Sequence, residues 1–285
     1  MTSAKVNGRY QAVSYADELD PTDSVLSFYA TDLRRFREKA GITQRDLAKR
    51  AHMAPSLLNK IEAAKRLPSR ELSILCDEVF GTGDHFQRLW PLVVKYAYPS
   101  WFRPFVELEE AATLIRSFEA QVIPGLLQTE DYARAVFAPR RLDPDKLDDQ
   151  VAARLERQRI LTRPQPPELW AILDENVLRR RMGGSSVMRG QLERLIIAAL
   201  EPRTVIQVVP YEAGAHAGVG GPFSALTLDE GPDVVYVDGF LQGQILADPE
   251  DVKAAGRAYD LLRAVALSPD RSIDLITDVM KELTP

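Results

Sequence analysis

Between Arg34 and Arg70, eleven lysines and arginines stand against three carboxylates, Glu38, Asp46 and Glu62, a net charge of +8. The whole chain carries −5, so everything outside this stretch sums to −13. A solvated helix face normally mixes its signs, whereas a basic footprint confined to one motif of an acidic protein is what counterion release from a phosphate backbone requires. Other residue sets that could do chemistry are weaker. Of three histidines, His52, His85 and His216, only the last lies in the C-terminal half, inside the glycine-rich run 214–221. A phosphate-cradling glycine loop follows a strand and opens a helix. Here FSALTLD follows, which reads as a strand, so a flexible hairpin connection is the simpler reading. Asp174 and Glu175 could share acid–base work, but at a helix start they are more simply a cap and a charge opposing the helix dipole. Gln128, in the apolar loop PGLLQT, could border a ligand pocket, with core packing as the default. No His pair or His–carboxylate set stands at metal-ligand spacing. The single Cys76, among Leu72, Leu75, Val79 and Phe80, reads as a small core residue. The expectation is no catalytic set, no metal and no cofactor.

The elements that must position the basic stretch are short helices. Tyr29, Leu33, Phe36 and Ala40 recur at helical spacing, and Gly41 follows where a left-handed cap residue belongs. Thr43 can cap a second helix, with Asp46 three residues on and Leu47, Ala48 and Ala51 as its apolar stripe. His52 and Met53 form a turn. Pro55 suits the first position of a third helix, whose Leu58 and Ile61 face inward while Ser56, Asn59 and Lys60 point out. A tight turn between two short helices, the second polar on its outer side, is the pattern that sets a recognition helix in the DNA major groove.

The run AGITQRDLAKRAHMAPSLLNKIEAAKRLPS resembles the Xre/Cro repressor-type helix-turn-helix, over about Phe28 to Leu92. The resemblance implies base contacts from Pro55, Ser56, Asn59 and Lys60. It implies phosphate contacts from Gln44, joined by Thr43, Arg45, Lys65 and Arg66, and a structural ion pair between Arg37 and Glu62. Three positions depart from the pattern: Ala54 stands where a hydroxyl cap is usual, Leu57 where a polar residue is usual, and Ala64 where Gly is usual. Pro55 and Leu57 offer apolar contact at most, such as to a thymine methyl, so base reading rests on few polar side chains or on DNA shape.

The remaining chain sets the domain plan. Its 285 residues, 45% hydrophobic and 27% charged, have ordinary globular composition and length for two domains. Neither a membrane span nor a signal pattern is visible, so a cytoplasmic protein is expected. Residues 1–23 read as a flexible leader and 24–98 as the five-helix domain, its fifth helix kinked or broken near Pro91. Residues 99–104 read as a linker and 105–285 as an α+β domain with a mostly antiparallel sheet flanked by helices. In that domain AATLIRSFEA, ELWAILD, TVIQVVP, FSALTLD, DVVYVDG and GQILAD read as strands. The helix from Asp143 to Arg163 buries Leu147, Val151, Leu155 and Ile160, and two helices close the chain. Those helices offer acidic and amphipathic faces suited to a partner protein or a second copy.

From about Trp101 onward the motifs FEAQVIPGLLQTEDYARAVF, RLERQ, LDENVLRRRMGG, VMRGQLERLI, VIQVVP and ALSPDRSIDLI resemble the domain of unknown function fused to Xre-type helix-turn-helices in antitoxin-like regulators of actinobacteria. The resemblance implies a transcription factor working with a small companion protein from a neighbouring gene. Three functions are therefore carried forward. The first is a sequence-specific regulator on double-stranded DNA whose C-terminal domain binds an effector or that companion protein. The second is an antitoxin that neutralises the companion and autoregulates its operon. The third, disfavoured by the missing catalytic set, is a DNA-tethered metabolite-processing enzyme. A homodimer is expected, because one small module buries limited surface on DNA.

Overall fold

The computed structural model describes residues 19–95 and 98–283, so most of the leader expected at 1–23 lies outside the described residues. Two compact units emerge, Met1–Trp90 and Pro91–Pro285. The division falls ahead of the linker expected at 99–104. Within the second unit Trp101 and Phe102 pack on its apolar core, and Arg103 and Pro104 open a helix.

The first unit is helical: α1 (Val25–Lys39), α2 (Gln44–Arg50), α3 (Pro55–Glu62), α4 (Arg70–Phe80) and the start of α5 (His85–Lys95). Hydroxyl caps begin three of them, Ser24, Thr43 and Ser69 accepting from the N–H groups of Ser27, Asp46 and Leu72. Each such cap is worth about 1 kcal/mol. Tyr29, Leu33, Leu47, Leu58, Ile61, Leu72 and Phe86 fill the core. Asp77 ties α4 to α5 by accepting from the N–H groups of Phe86 and Gln87 at 3.0 Å and from the Thr82 hydroxyl at 2.6 Å. Burial opposes its charge, but these bonds outweigh burial and hold its pKa below the ordinary value. α5 runs through Pro91 without ending there, although the proline removes one backbone bond. Cys76 is buried, and burial pushes its thiol pKa up, as suits an inert core residue.

The second unit holds α6 (Arg103–Ala111), β1 (Ala112–Glu119), α7 (Glu130–Phe137), α8 (Pro144–Arg157), β2 (Glu168–Asp174), α9 (Glu175–Arg179), α10 (Ser185–Ala199) and β3 (Thr204–Val209). It continues with β4 (Phe223–Leu228), β5 (Val234–Val237), β6 (Gln244–Leu246), α11 (Pro249–Val265) and α12 (Pro269–Glu282). The strands form one sheet in the order β3-β2-β1-β4-β5-β6. β4 is antiparallel to β1, and β4, β5 and β6 are antiparallel in turn, as their close spacing suggests. β1, β2 and β3 are parallel, with helices in the connections that parallel pairing demands.

This order overturns the hairpin reading of 214–221. β3 lies at the sheet edge and β4 beside β1, so the glycine-rich run crosses past two strands. Gly218 passes so close to the Phe118 ring that a Cβ there would overlap it. Along β1 and β2 the side chains alternate: Ile115, Leu169, Ala171 and Leu173 join the larger core, while Phe118 and Ile172 pack on the opposite face with Tyr259 and Leu262 of α11. The apolar stripe of α12, Ile276 and Val279, is likewise spent inside the larger core.

Candidate nucleic-acid interface

α2 and α3 are joined by a turn in which His52 takes a left-handed conformation, φ +53°, and the Met53 N–H donates to Ala48 O at 2.9 Å. Leu58, Ile61 and Glu62 face inward from α3. Pro55, Ser56, Asn59 and Lys60, the four expected base readers, are all exposed, and Leu57 is half-buried. Spacing accounts for this. Positions 58, 61 and 62 form one stripe at helical period, and 55, 56, 59 and 60 fill the opposite arc. Ala54 gives α3 no side-chain cap bond, and Ala64, just beyond the helix, sits at φ +53° where the resemblance has glycine.

The helix pair is held from behind by charge. Arg37 donates from Nε to Glu62 Oε1 at 2.6 Å, from Nη2 to Glu62 Oε2 at 2.9 Å and from Nη1 to the Ile42 carbonyl at 3.0 Å. The bonds to Glu62 raise the pKa of a guanidinium that burial alone would lower. Gln44, expected at a phosphate, gives one amide N–H to Glu62 Oε2 at 2.7 Å. Thr43, expected at a phosphate too, caps α2 in this state: its Oγ1 accepts from the Asp46 N–H at 3.1 Å and donates to Asp46 Oδ2 at 2.7 Å. Arg45 and Lys65 are exposed and Arg66 is half-buried. Gln44, Asn59 and Lys65, assigned to different roles, line one recess together with Arg37 and Glu62.

In the second unit the candidate acid–base groups are spent on structure. Asp174 Oδ1 caps α9 by accepting from the Asn176 N–H at 2.8 Å, and its Oδ2 lies 3.1 Å from His216 Nε2. His216 Nδ1 accepts from the Gly218 N–H at 3.2 Å, which puts the imidazole proton on Nε2. Glu175 accepts from Arg179 at 2.6 Å and from the Tyr211 N–H at 2.9 Å. The set thus pins the crossover run to the end of β2. Among the described residues no group of three His, Cys, Asp or Glu could hold a metal ion.

Gln128 has a larger part than core filler. Its Nε2 donates to the Ile123 carbonyl at 2.7 Å, and its Oε1 accepts from Arg154 Nη1 at 2.8 Å. Ile123 and Leu127 of the same loop are core, but Pro124 and Leu126 line a cavity of about 700 Å³. α8 also departs from expectation. Val151 is buried as expected, yet Gln150, Arg154 and Arg157 share the inward side and line the cavity. An arginine in a helix of mixed charges reads as solvent-facing, so only the 150, 154, 157 spacing hinted at this face. Burial, then repulsion by Asp238, pushes Glu119 up to about 8. Burial, then the neighbouring Arg157, lowers Arg154 to about 10, which leaves it cationic at neutral pH.

The first unit is thus a helix-turn-helix built to present α3, and the chain is a DNA-binding regulator in outline. Comparison agrees: residues 29–89 match the family described as a helix-turn-helix domain, and residues 102–278 match the domain of unknown function DUF5753. The chain belongs to the DUF5753 family, with a helix-turn-helix domain ahead of the family segment. No curated protein and no solved structure matches it. Among the described residues no helix is long and apolar enough to cross a membrane.

Proposed function

We propose that the chain is a sequence-specific transcriptional regulator of the cytoplasm, in which α3 reads base edges in the major groove and the second unit tunes that binding in response to an effector. The observation that carries this reading is the common exposure of Pro55, Ser56, Asn59 and Lys60 on one side of a helix whose other side is buried. The Asn59 amide matches the donor–acceptor pair of an adenine edge, and the Lys60 ammonium matches the acceptors of guanine. Arg45 and Lys65 supply charge to the flanking phosphates, and Gln44 keeps a second amide N–H for the same purpose. The Arg37–Glu62 pair ties α1 to α3, the Gln44 amide ties α2 to the same carboxylate, and the pair takes no part in readout. Pairing of two copies on two half-sites would supply the contact area that one small module lacks. A regulator is favoured over an enzyme because Asp174, Glu175 and His216 are committed to structural bonds.

Selection of the full chain against random duplex DNA tests the reading. A defined site should emerge. Lys65→Ala should then weaken binding to selected and unrelated DNA alike and lower the salt slope by about one counterion. Equal affinity for all sequences would contradict it.

A further inference from the structure

The cavity of about 700 Å³ in the second unit has a cause that can be read from the strand register. Ala171 of β2 pairs with Ser117 of β1, Ser117 with Ser224 of β4, and Ser224 with Tyr236 of β5. Cross-strand partners point to the same face, so three small side chains in a row leave the inner face of the sheet hollow. The next inward residue of β1 after Ser117 is Glu119, again polar where a core strand wants an apolar residue. Inward positions that break the packing rule without a structural gain mark function more often than error.

What faces this hollow is a set of polar atoms with unspent bonding capacity. Among the described residues Arg154 Nε, Arg157 Nη1, Gln150 Oε1 and Ser117 Oγ are shielded from solvent and have no hydrogen-bond partner. Arg157 Nε lies 2.9 Å from Glu109 Oε2, but out of line for a hydrogen bond. Leaving one such donor or acceptor unmet is costly, more so for a charged group, and here several converge on one void. Glu109 answers one of the two guanidinium charges. Arg154 donates to the neutral Gln128 carbonyl, and Glu119 keeps its proton at neutral pH. The walls are aromatic: the Arg154 guanidinium lies 4.8 Å from the centre of the Phe137 ring, and that of Arg157 lies 5.3 Å from Phe102. At the mouth, Phe240 and Leu241 are left fully exposed, apolar surface that a seated ligand would cover.

We propose that this cavity binds a small molecule with one carboxylate on a ring-shaped apolar body, the carboxylate meeting Arg154 and Arg157 and the rings lying against Phe102 and Phe137. The volume falls within the range of small-molecule sites, about 300–1,000 Å³. Carboxylate geometry matches guanidinium donors two at a time, while Gln150 Oε1 and Ser117 Oγ select a hydrogen-bond donor on the same body. This assignment deepens the regulator reading by naming the class of effector, and it rests on that reading only for its effect on DNA.

The test uses the full chain without DNA, with 1-naphthoate and indole-3-acetate as probes and 1-naphthamide as the uncharged control, followed by calorimetry and tryptophan fluorescence. The acids should bind one per chain below about 1 mM and change Trp101 emission. The amide should bind about tenfold more weakly, the loss of a charge-assisted bond. Arg154→Met should weaken the acids to the level of the amide. Ser117→Leu, which fills the hollow without touching an ion pair, should abolish binding while the melting temperature holds or rises. Absence of saturable binding by both acids, equal binding of acid and amide, or undiminished binding to folded Ser117→Leu would overturn the assignment. DNA affinity of the ligand-free variants, measured separately, should equal that of the unmodified chain. Saturable binding of the acids to the unmodified chain with no change in its DNA affinity would count against the regulator reading alone.

Discussion

Glu62 meets three donors at once, two from Arg37 and one from Gln44, at a position almost closed to solvent. Removing one partner of such a buried pair leaves the other charge unmatched, which costs about 3–5 kcal/mol. Glu62→Ala should therefore destabilise the first unit by that amount in urea unfolding, and a loss under 1 kcal/mol would show the pair to be ornamental. Ala64 pulls in the opposite direction. At φ +53° an alanine is strained, and glycine removes the strain, so Ala64→Gly should raise stability by up to about 1 kcal/mol; a drop would contradict the backbone argument. Some of this is legible from residues alone. Arg37 with Glu62, and the missing glycine at 64, follow from the motif. The Gln44–Glu62 bond does not, because it depends on how α2 docks against α3. The Asp174–His216 contact joins residues 42 apart through a crossover that periodicity cannot reveal.

At the scale of elements, β1 and α8 carry the tension. Strand alternation and helical spacing locate nearly every element of the second unit, because apolar period follows from burial on one face. They do not give strand order: a parallel β1-β2-β3 set and an antiparallel β4-β5-β6 set have similar local patterns. Nor do they show that α8 turns Arg154 and Arg157 inward, since long charged side chains cover apolar surface from outside equally well. Glu119 on β1 turns this into a pH dependence. Its folded pKa of about 8 lies above the ordinary value of 4.5. Between those values the folded chain keeps a proton that the unfolded chain has lost, so this group subtracts stability as pH rises from about 5 to 8. Urea midpoints of the second unit should fall across that window, and Glu119→Gln should flatten the fall. An unchanged slope in the variant would place the titration elsewhere.

For the whole molecule, the division of charge is the organising fact: +8 within Arg34–Arg70 and −13 elsewhere. The basic part sits in a helix-turn-helix whose outer residues point away from the core, and residues 102–278, a family domain with a polar hollow, carry −8 of the remainder. Sequence alone makes the first half of that statement firm, because a short motif fixes both fold and exposed face. The second half needed the sheet register, through which Ala171, Ser117 and Ser224 come into line. The central claim is that the outer side of α3 reads sequence, and Asn59 tests it most directly. Affinity of the full chain for its selected site and for scrambled DNA should be measured at fixed salt, with and without Asn59→Ala. The substitution should cut the ratio of the two by about tenfold or more, the worth of one bidentate base contact, with affinity for scrambled DNA and its salt slope unchanged. A ratio that Asn59→Ala leaves untouched would contradict the account.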